Sequence, residues 1–290
     1  MWRALGFPEA EGAAVYTSSD VEAIRTLSGA IGSGLLDFDL AVTITRALGQ
    51  TMARLADWEV AALVHRVEEL QAAAPDEATG APVDRTATAM RLLDDLSDGF
   101  EATMVYAWRR HLAAAVSRIV ALGEVDNLNT TRLTVGFADI VSFTALSNEI
   151  SRERIGDLVE LFESRCADVV AAQRGRVIKS IGDSILFVND DPIRAYDTAE
   201  GIITVIGRDS RMPDVRLGLA SGNVVMRLGD VFGPPVNLAA RLTAVARRNR
   251  IIIDAATAAL LPPDQFETRL LPERPVRGFG LVGPVAVRRH

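Results

Sequence analysis

Lys179 is the only lysine in this chain, although lysine and arginine together number 31 residues. A lysine ammonium is a compact donor on a flexible stem, whereas an arginine guanidinium is a broad planar fork, so the two are not interchangeable at a close polar contact. Lys179 lies four residues before Asp183, in the segment V-I-K-S-I-G-D-S. Chance survival explains a single lysine as well as function does, so the neighbouring residues must decide between them.

Two aspartates lie where strands are predicted to end. Asp139 belongs to F-A-D-I-V-S-F-T, in which a strand is followed by small and polar residues and the start of a helix, and Asp183 lies in a predicted hairpin turn. Backbone N–H groups at such a helix start can bind phosphate. Two carboxylates at adjacent strand ends are typical of sites where divalent cations bridge phosphate oxygens. Taken singly, a helix cap and an ordinary turn residue remain the favoured alternatives.

A third segment, D-V-F-G-P-P-V-N-L-A-A-R, runs from Asp230 to Arg241. Asn237 and Arg241 are one helical turn apart, so they share a helix face. An amide and a guanidinium together can contact a phosphate or a ribose. A solvated helix face is the alternative for this pair in isolation.

Together and in this order, the three segments resemble the catalytic domain of the class III nucleotidyl cyclases, over about residues 131 to 287. The resemblance implies an adenylate cyclase that converts ATP to 3′,5′-cyclic AMP and pyrophosphate. It implies two Mg²⁺ or Mn²⁺ ions in each active site, held by Asp139, Ile140 and Asp183. The phosphate contacts it implies are Ile140, Val141, Ser142, Phe143, Thr144 and Arg277.

The same resemblance assigns base recognition to Lys179 and Asp230 and transition-state support to Asn237 and Arg241. Adenine offers an N6 amino donor, which Asp230 can accept, and an N1 acceptor, to which Lys179 can donate. Guanine reverses this edge, so GTP would leave mismatched polar groups, and such sites discriminate strongly. Guanylyl members of the family typically carry Glu and Cys or another small residue at these two positions.

The reaction implied is an in-line attack of the ribose 3′-hydroxyl on the α-phosphorus, with catalysis by positioning and electrostatics. Family sites form between two catalytic domains, so we expect a homodimer with two composite sites. The segment between Gly222 and Asp230 is short, as in the short-arm bacterial subgroup. A phosphate-clamping basic residue of some members falls near Asn223, where none is present, and Arg227 competes with Arg277 for the terminal phosphates.

Three other functions compete with that of an adenylate cyclase. A regulatory module that binds nucleotide without turnover usually lacks some metal or transition-state residues, and this chain lacks none of the six. A guanylyl or mixed-specificity cyclase is disfavoured by Lys179 and Asp230. A diguanylate cyclase needs a G-G-D-E-F-type turn, and the turn here reads I-G-D-S.

The elements that must position these residues fall in two parts. The pattern predicts an all-α domain over residues 1–122, a linker over 123–130 and an α+β or α/β sandwich over 131–290. The family resemblance implies that this catalytic domain has an α+β fold, an α/β sandwich with a ferredoxin-like βαββαβ core. Predicted strands are 133–137, 176–180, 184–188, 215–220 and 251–253. Predicted catalytic-domain helices are 145–173, 193–207 and 235–247, and a Gly-rich turn and a short strand follow 215–220.

The first domain carries helical periodicity from Val21 to Leu35, from Ile44 to Leu70 and from Arg85 to Leu122, with a weak point at Asp98-Gly99 and a loop from Gln71 to Val83. Ser19 and Glu22 are predicted to form a capping box. We expect this domain to regulate catalytic-dimer geometry. Its only histidines, His65 and His111, are candidate pH sensors, with ordinary structural histidines as the alternative.

Composition bounds the remaining possibilities. A net charge of −7 and a pI near 5.1 argue against a nucleic-acid partner. No run approaches the ~20 apolar residues of a membrane span, and the start does not resemble a signal peptide. The single Cys166 fits a reducing compartment and a buried position. We therefore expect a cytoplasmic protein without stable membrane insertion.

Overall fold

The chain is described from a computed structural model, over residues 2–7, 17–73, 85–122, 130–227 and 229–290. Contacts between residues divide the chain into two units, Met1–Gly123 and Glu124–His290. Among the described residues, no helix is both long enough and apolar enough to cross a bilayer. Most of the predicted linker, residues 123–129, lies outside the described ranges.

Helices make up the regular structure described in the first unit. They are a short 3-10 helix Trp2–Leu5, α1 Ser18–Gly32, α2 Phe38–Ala73 and α3 Arg85–Leu122. The predicted weak point at Asp98-Gly99 does not interrupt α3. The loop predicted from Gln71 begins later, because α2 continues to Ala73, and the rest of that predicted loop lies outside the described residues.

The capping box of α1 is shifted from its predicted place. Thr17 is the N-cap; its hydroxyl accepts from the Asp20 N–H at 3.3 Å, and its own N–H donates to the Asp20 carboxylate at 2.7 Å. The prediction of Ser19 and Glu22 was wrong, because T-S-S-D satisfies the same spacing two residues earlier.

The second unit follows the order βαββαβ before its C-terminal elements. Its helices are α4 Phe143–Ser147, α5 Arg152–Ala172, α6 Pro192–Gly207, α7 Pro234–Val245 and α8 Ala255–Ala258. Its strands are β1 Thr130–Ile140, β2 Arg176–Ile181, β3 Ser184–Asn189, β4 Val215–Arg227, β5 Asp230–Phe232, β6 Ile251–Ile253, β7 Phe266–Leu270, β8 Arg274–Val276, β9 Gly280–Val282 and β10 Val285–Arg289.

One sheet holds most of these strands, in the order β2-β3-β1-β4-β6-β10-β7, with β5 paired to β4. β1 runs antiparallel to both β3 and β4, and β4 runs parallel to β6. β8 and β9 form a separate two-stranded sheet. The structure therefore confirms the predicted α+β catalytic unit preceded by helices.

The strands bury both faces because their side chains alternate. On one face Phe187 of β3 packs in a cluster with Phe162 of α5 and Ile202 of α6. On the other face Leu186 packs in a second cluster with Leu242 of α7. Helices thus cover the sheet on both sides, as in an α/β sandwich.

Cys166 lies in the first of these clusters and is fully buried, as predicted. Burial raises the pKa of its thiol far above the ordinary range, and the nearby Glu163 carboxylate adds to the shift. A thiol held in this way stays protonated, so Cys166 acts as a small apolar core residue.

Two predicted elements differ from the structure. The helix predicted over 145–173 is two helices, because Ser151 caps the start of α5 and its hydroxyl accepts from the Arg154 N–H. The Gly-rich turn predicted after Ala220 does not exist, since β4 continues through it to Arg227. Gly222 is needed there for contact rather than for turning: a Cβ on it would lie 2.8 Å from Pro235 Cγ.

Gly218 of β4 lies directly under α7. A Cβ at this position would lie 2.4 Å from the Thr243 backbone nitrogen and 2.5 Å from the Ala239 carbonyl oxygen. We expect Gly218→Ala to force α7 away from the sheet and to lower the free energy of unfolding by about 1–3 kcal/mol. Denaturant unfolding measures this effect.

Gly156→Ala is the matched control for that variant. Gly156 lies inside α5, and a Cβ added to it would meet nothing within 4 Å outside its own helix backbone. Alanine there should be neutral or stabilising by up to ~1 kcal/mol, because glycine is the poorer helix former. Equal stability of Gly218→Ala and the unmutated protein would contradict the close packing of α7 on β4.

Candidate active site

Asp139 and Asp183 meet at one end of the sheet. Asp139 is the penultimate residue of β1 and pairs in register with Ser184, the first residue of β3. Asp183 lies in the two-residue turn between β2 and β3, where Gly182 has φ +62°. The Ile140 N–H donates to the Asp183 carbonyl oxygen at 3.1 Å, which ties the strand end to the turn.

Both carboxylate oxygens of Asp139 have partners. The Ser184 hydroxyl donates to Oδ1 at 2.5 Å, and the Arg216 Nε donates to Oδ2 at 2.7 Å. Arg216 lies opposite Asp139 in the β1–β4 register and also donates to the Ala244 carbonyl oxygen in α7 at 3.3 Å. The Asp139 carboxylate is thereby fixed in direction, with a guanidinium beside it.

Arg216 and Ser184 were missed by reasoning from the sequence. The β1–β3 register places Ser184 beside Asp139, and the β1–β4 register places Arg216 beside it. Neither register can be read from the sequence. The alternation of apolar residues in V-R-L-G-L predicts a strand but not its partner or its register. The usable signal was a single arginine within that otherwise apolar run.

The surroundings of the Asp183 carboxyl disfavour its charged form. Burial raises its pKa above the ordinary value and the neighbouring Asp139 raises it further, while its own backbone N–H and the Arg216 guanidinium lower it in part. Two carboxylates that repel each other gain from a divalent cation placed between them.

The oxygen ligands at this strand end fit a hard divalent cation. Asp139, Asp183 and the Ile140 carbonyl are the oxygen ligands that such ions prefer. Within the described ranges, no group of three or more His, Cys, Asp or Glu residues is placed to hold a metal ion. Mg²⁺ is commonly held by one or two carboxylates, with water and phosphate oxygens as its other ligands.

The segment Ile140–Thr144 links β1 to α4, and its amides divide into two sets. Those of Ile140 and Val141 are used internally, by the carbonyl oxygens of Asp183 and Asp214. Ser142 then adopts the left-handed conformation at φ 58° and turns the chain into α4. The first N–H groups of a helix have no intrahelical acceptor, so those of Phe143 and Thr144 are the candidates for a phosphate contact, which stays a prediction.

Lys179 and Asp230 contact each other although they lie on different strands, β2 and β5. The Lys179 Nζ lies 2.5 Å from the Asp230 Oδ2, and both side chains are partly exposed, at 39% and 29%. The other Asp230 oxygen accepts from the Val231 N–H at 2.8 Å. Burial alone would raise the pKa of Asp230, but the hydrogen bonds from Lys179 and Val231 outweigh it and lower the pKa.

Asn237 and Arg241 lie one turn apart on α7, and both are exposed. Their helix buries Ala239 and Leu242 against the sheet, so these two polar residues point away from it. Neither side chain forms a hydrogen bond or an ion pair with another described residue. Their exposure leaves them available to a ligand or to a second chain.

Arg277 is also exposed, in the turn between β8 and β9. The contacts in the described part of the chain do not link it to Asp139, Asp183 or α7. Arg227, the competing residue, ends β4 and is register partner to Asp230, so it lies closer to the Lys179–Asp230 pair. The assignment of a terminal-phosphate contact to Arg277 stays a prediction.

Comparison with known proteins places this site in a family. Residues 125–286 match the family model for the adenylate and guanylate cyclase catalytic domain. A protein named adenylate cyclase from Streptomyces coelicolor is 36% identical over 316 residues, which cover 100% of this chain and 81% of that protein. An adenylate cyclase from Glutamicibacter nicotianae is 32% identical over 300 residues, covering 98% and 73%.

A solved structure agrees in fold. The catalytic core of a rhodopsin-guanylyl cyclase with converted specificity, in complex with ATPalphaS, superposes with a TM-score of 0.52 at 25% identity and covers 56% of this chain and 99% of that one. The family model matches more than half of the chain, and the two adenylate cyclases align over nearly all of it. Both findings agree with the fold and with the order of the motifs. This chain belongs to the class III adenylate and guanylate cyclase family.

Proposed function

We propose that this protein is an adenylate cyclase that converts ATP to 3′,5′-cyclic AMP and pyrophosphate at composite sites in a homodimer. The contact between Lys179 Nζ and Asp230 Oδ2 at 2.5 Å carries the proposal. It sets one cationic donor beside one anionic acceptor at the edge of the sheet. The relatives named adenylate cyclase support the same activity.

The Lys179–Asp230 pair matches the hydrogen-bonding edge of adenine. Asp230 stays ionised because its pKa is lowered, so it can accept from the adenine N6 amino group. The Lys179 ammonium can turn on its flexible stem to donate to N1. Guanine presents an acceptor at position 6 and a donor at N1, so both contacts would be mismatched and GTP would be disfavoured.

The metal end of the site would be built from Asp139, Asp183 and the Ile140 carbonyl, holding two Mg²⁺ or Mn²⁺ ions. Such ions supply charge neutralisation for the triphosphate and lower the pKa of the attacking hydroxyl. Within the chain, Ser184 and Arg216 fix the direction of Asp139. Arg216 also places a positive charge next to the phosphate-binding segment Ile140–Thr144.

The transition state would be supported from α7. The ribose 3′-oxygen forms a bond to the α-phosphorus, the bond from that phosphorus to the bridging oxygen of pyrophosphate breaks, and the hydroxyl proton is released. Asn237 would orient the ribose, and Arg241 would offset the negative charge that grows around the α-phosphorus. Both side chains are free to do so because they are exposed.

The proposed homodimer is supported by the lack of contacts between three groups of site residues within the described part of one chain. Lys179 and Asp230 meet in a single chain, and Asp139 and Asp183 meet in a single chain, but Asn237 and Arg241 contact neither pair among the described interactions. A two-fold axis lets one protomer supply the metal carboxylates while its partner supplies the base-reading pair and α7.

Product analysis tests this proposal. The protein is incubated with ATP and Mg²⁺ or Mn²⁺, and cyclic AMP and pyrophosphate are separated by chromatography. Both products should form in equal amounts, and an Asp139→Ala variant should form neither. Absence of a metal-dependent cyclic product from the unmutated protein at every pH tried would rule the proposal out.

The first unit, residues 1–122, would regulate the orientation of the catalytic domains through α3. On α2 the His65 Nε2 lies 3.5 Å from the Glu69 Oε1 on the exposed surface, so protonation of His65 would complete an ion pair. His111 is exposed on α3. A proton-driven shift of these helices would alter activity without any change in the site itself.

Histidine substitution tests the pH hypothesis. We expect His65→Ala combined with His111→Ala to shift the pH–activity curve, because histidine is the side chain that ordinarily changes charge near neutrality. His290→Ala, which removes the third histidine, should leave the curve in place. A double variant whose curve superposes on that of the unmutated protein would exclude histidine sensing by the first unit.

A further inference from the structure

A run of arginines follows α7. Residues 247–250, the arginine loop, read Arg-Arg-Asn-Arg and connect α7 to β6. Arg247, Arg248 and Arg250 are exposed, whereas Asn249 is partly buried. This concentration of positive charge contrasts with the net charge of −7 of the whole chain.

Asn249 holds the arginine loop in one conformation. It adopts φ 52°, in the left-handed region, and its side-chain amide donates to the Asp214 carboxylate at 2.7 Å. Its side-chain oxygen accepts from the Val215 N–H at 3.2 Å. The carbonyl oxygen of the next residue, Arg250, accepts from the Leu217 N–H at 3.1 Å. The loop is therefore clamped to the start of β4.

The start of β4 is also the metal end of the sheet. Val215 pairs with Ile140, and Arg216 pairs with Asp139. The Asp214 carbonyl oxygen accepts from the Val141 N–H at 2.8 Å, within the phosphate-binding segment. Asp214 thus contacts the arginine loop through its side chain and the phosphate-binding segment through its backbone.

The charges of the arginine loop are largely uncompensated. Arg248 lies 3.8 Å from the Asp214 carboxylate, at the outer limit of an ion pair. The guanidinium groups of Arg247 and Arg250 form no ion pair with any residue in the described part of the chain. By contrast, Arg211 near the same end is bound tightly to Asp209.

We propose that the arginine loop is an electrostatic entry surface that attracts the triphosphate of the nucleotide toward the metal end of the site. This inference rests on the proposed function. Exposed charges act over the Debye length, about 10 Å at 0.1 M ionic strength, and local positive potential raises the encounter rate of an anion even when the protein is acidic overall. The loop acts before chemistry and does not contact the reacting atoms.

Neutralising the loop tests the inference. In the variant Arg247→Gln, Arg248→Gln, Arg250→Gln, we expect the KM for ATP to rise about tenfold at low ionic strength, with the effect on KM rather than on kcat. The difference should shrink as the Debye length falls from about 30 Å at 0.01 M to about 8 Å at 0.15 M. Affinity for 3′-deoxy-ATP, which cannot cyclise, should fall in parallel.

Arg132→Gln, Arg174→Gln, Arg269→Gln is the matched control. It removes the same charge from exposed positions away from the metal end of the sheet, and its KM should change by less than about twofold. A loop variant with the KM and salt dependence of the unmutated protein overturns the inference. That outcome is distinct from failure of the proposed function, in which the unmutated protein itself would form no cyclic AMP.

Discussion

Asp183→Asn is expected to lower cyclic AMP formation from ATP by roughly 10²–10³-fold, the size of effect seen when one charge-stabilising group is removed from a site. The substitution keeps the shape of the side chain and removes the charge that would bind the metal. The fold should tolerate it, because burial and Asp139 already disfavour the charged form of Asp183. Activity assays and denaturant unfolding together measure the two effects.

The sign of the stability change is fixed by the raised pKa of Asp183. The folded protein binds more protons at this position than the unfolded chain does, so stability falls as pH rises through the window above the ordinary aspartate pKa. Without metal, Asp183→Asn should therefore be at least as stable as the unmutated protein at neutral pH. A variant that is inactive because it is unfolded would contradict the account of this carboxyl.

Mixing variants tests the composite site. Asp183→Asn and Arg241→Ala should each be nearly inactive alone, because each homodimer lacks one group in both sites. When they are mixed and allowed to exchange subunits, half the dimers are mixed and each has one intact site, so about a quarter of the unmutated activity should return. Mixing Asp183→Asn with Asp139→Ala, which damage the same half of the site, should restore none. If mixing Asp183→Asn with Arg241→Ala restores no activity, the shared-site arrangement is contradicted.

Lys179→Arg is expected to lower kcat/KM for ATP about 10²-fold, although it preserves the charge and matches the arginine used elsewhere in the chain. The Lys179 ammonium lies 2.5 Å from one Asp230 oxygen, and this contact joins β2 to β5. A guanidinium is broader and planar, so it would satisfy Asp230 with both arms and would displace the adenine edge. Steady-state kinetics with ATP measure the loss.

Arg174→Lys is the matched control for that substitution. Arg174 is exposed in the turn between α5 and β2 and should tolerate the change without loss of activity. If Lys179→Arg cyclises ATP as well as the unmutated protein, the lone lysine survived by chance and adenine is read by other groups.

The sequence predicted those parts of the site that depend on residues close together in the chain. Asp139 and Asp183 were placed because a strand end and a hairpin turn are read from nearby residues. The contact of Arg216 with Asp139 was not predicted, because the two residues are 77 positions apart and meet only through the β1–β4 pairing. The Lys179–Asp230 contact spans 51 residues and was expected only from the family resemblance.

The error in the predicted fold after Ala220 also arose from contacts between residues that are distant in the chain. Ser221 and Gly222 look like turn residues, but β4 remains extended there because the small Gly222 accepts Pro235 of α7 against it. A buried chain of hydroxyl groups from Thr134 through Ser221 to Thr257 adds to this, with contacts of 2.8 Å. Tertiary packing thus overrides a local turn preference, and only the assembled sheet reveals it.

The ratio of kcat/KM for ATP to that for GTP, measured with the unmutated protein and Mg²⁺ or Mn²⁺, tests the central claim most directly. An adenine-reading site built from Lys179 and Asp230 predicts a preference for ATP of about 10²-fold or more, because GTP leaves both groups mismatched. Equal use of both nucleotides, or a preference for GTP, would contradict the assignment of Lys179 and Asp230 as the readers of the base.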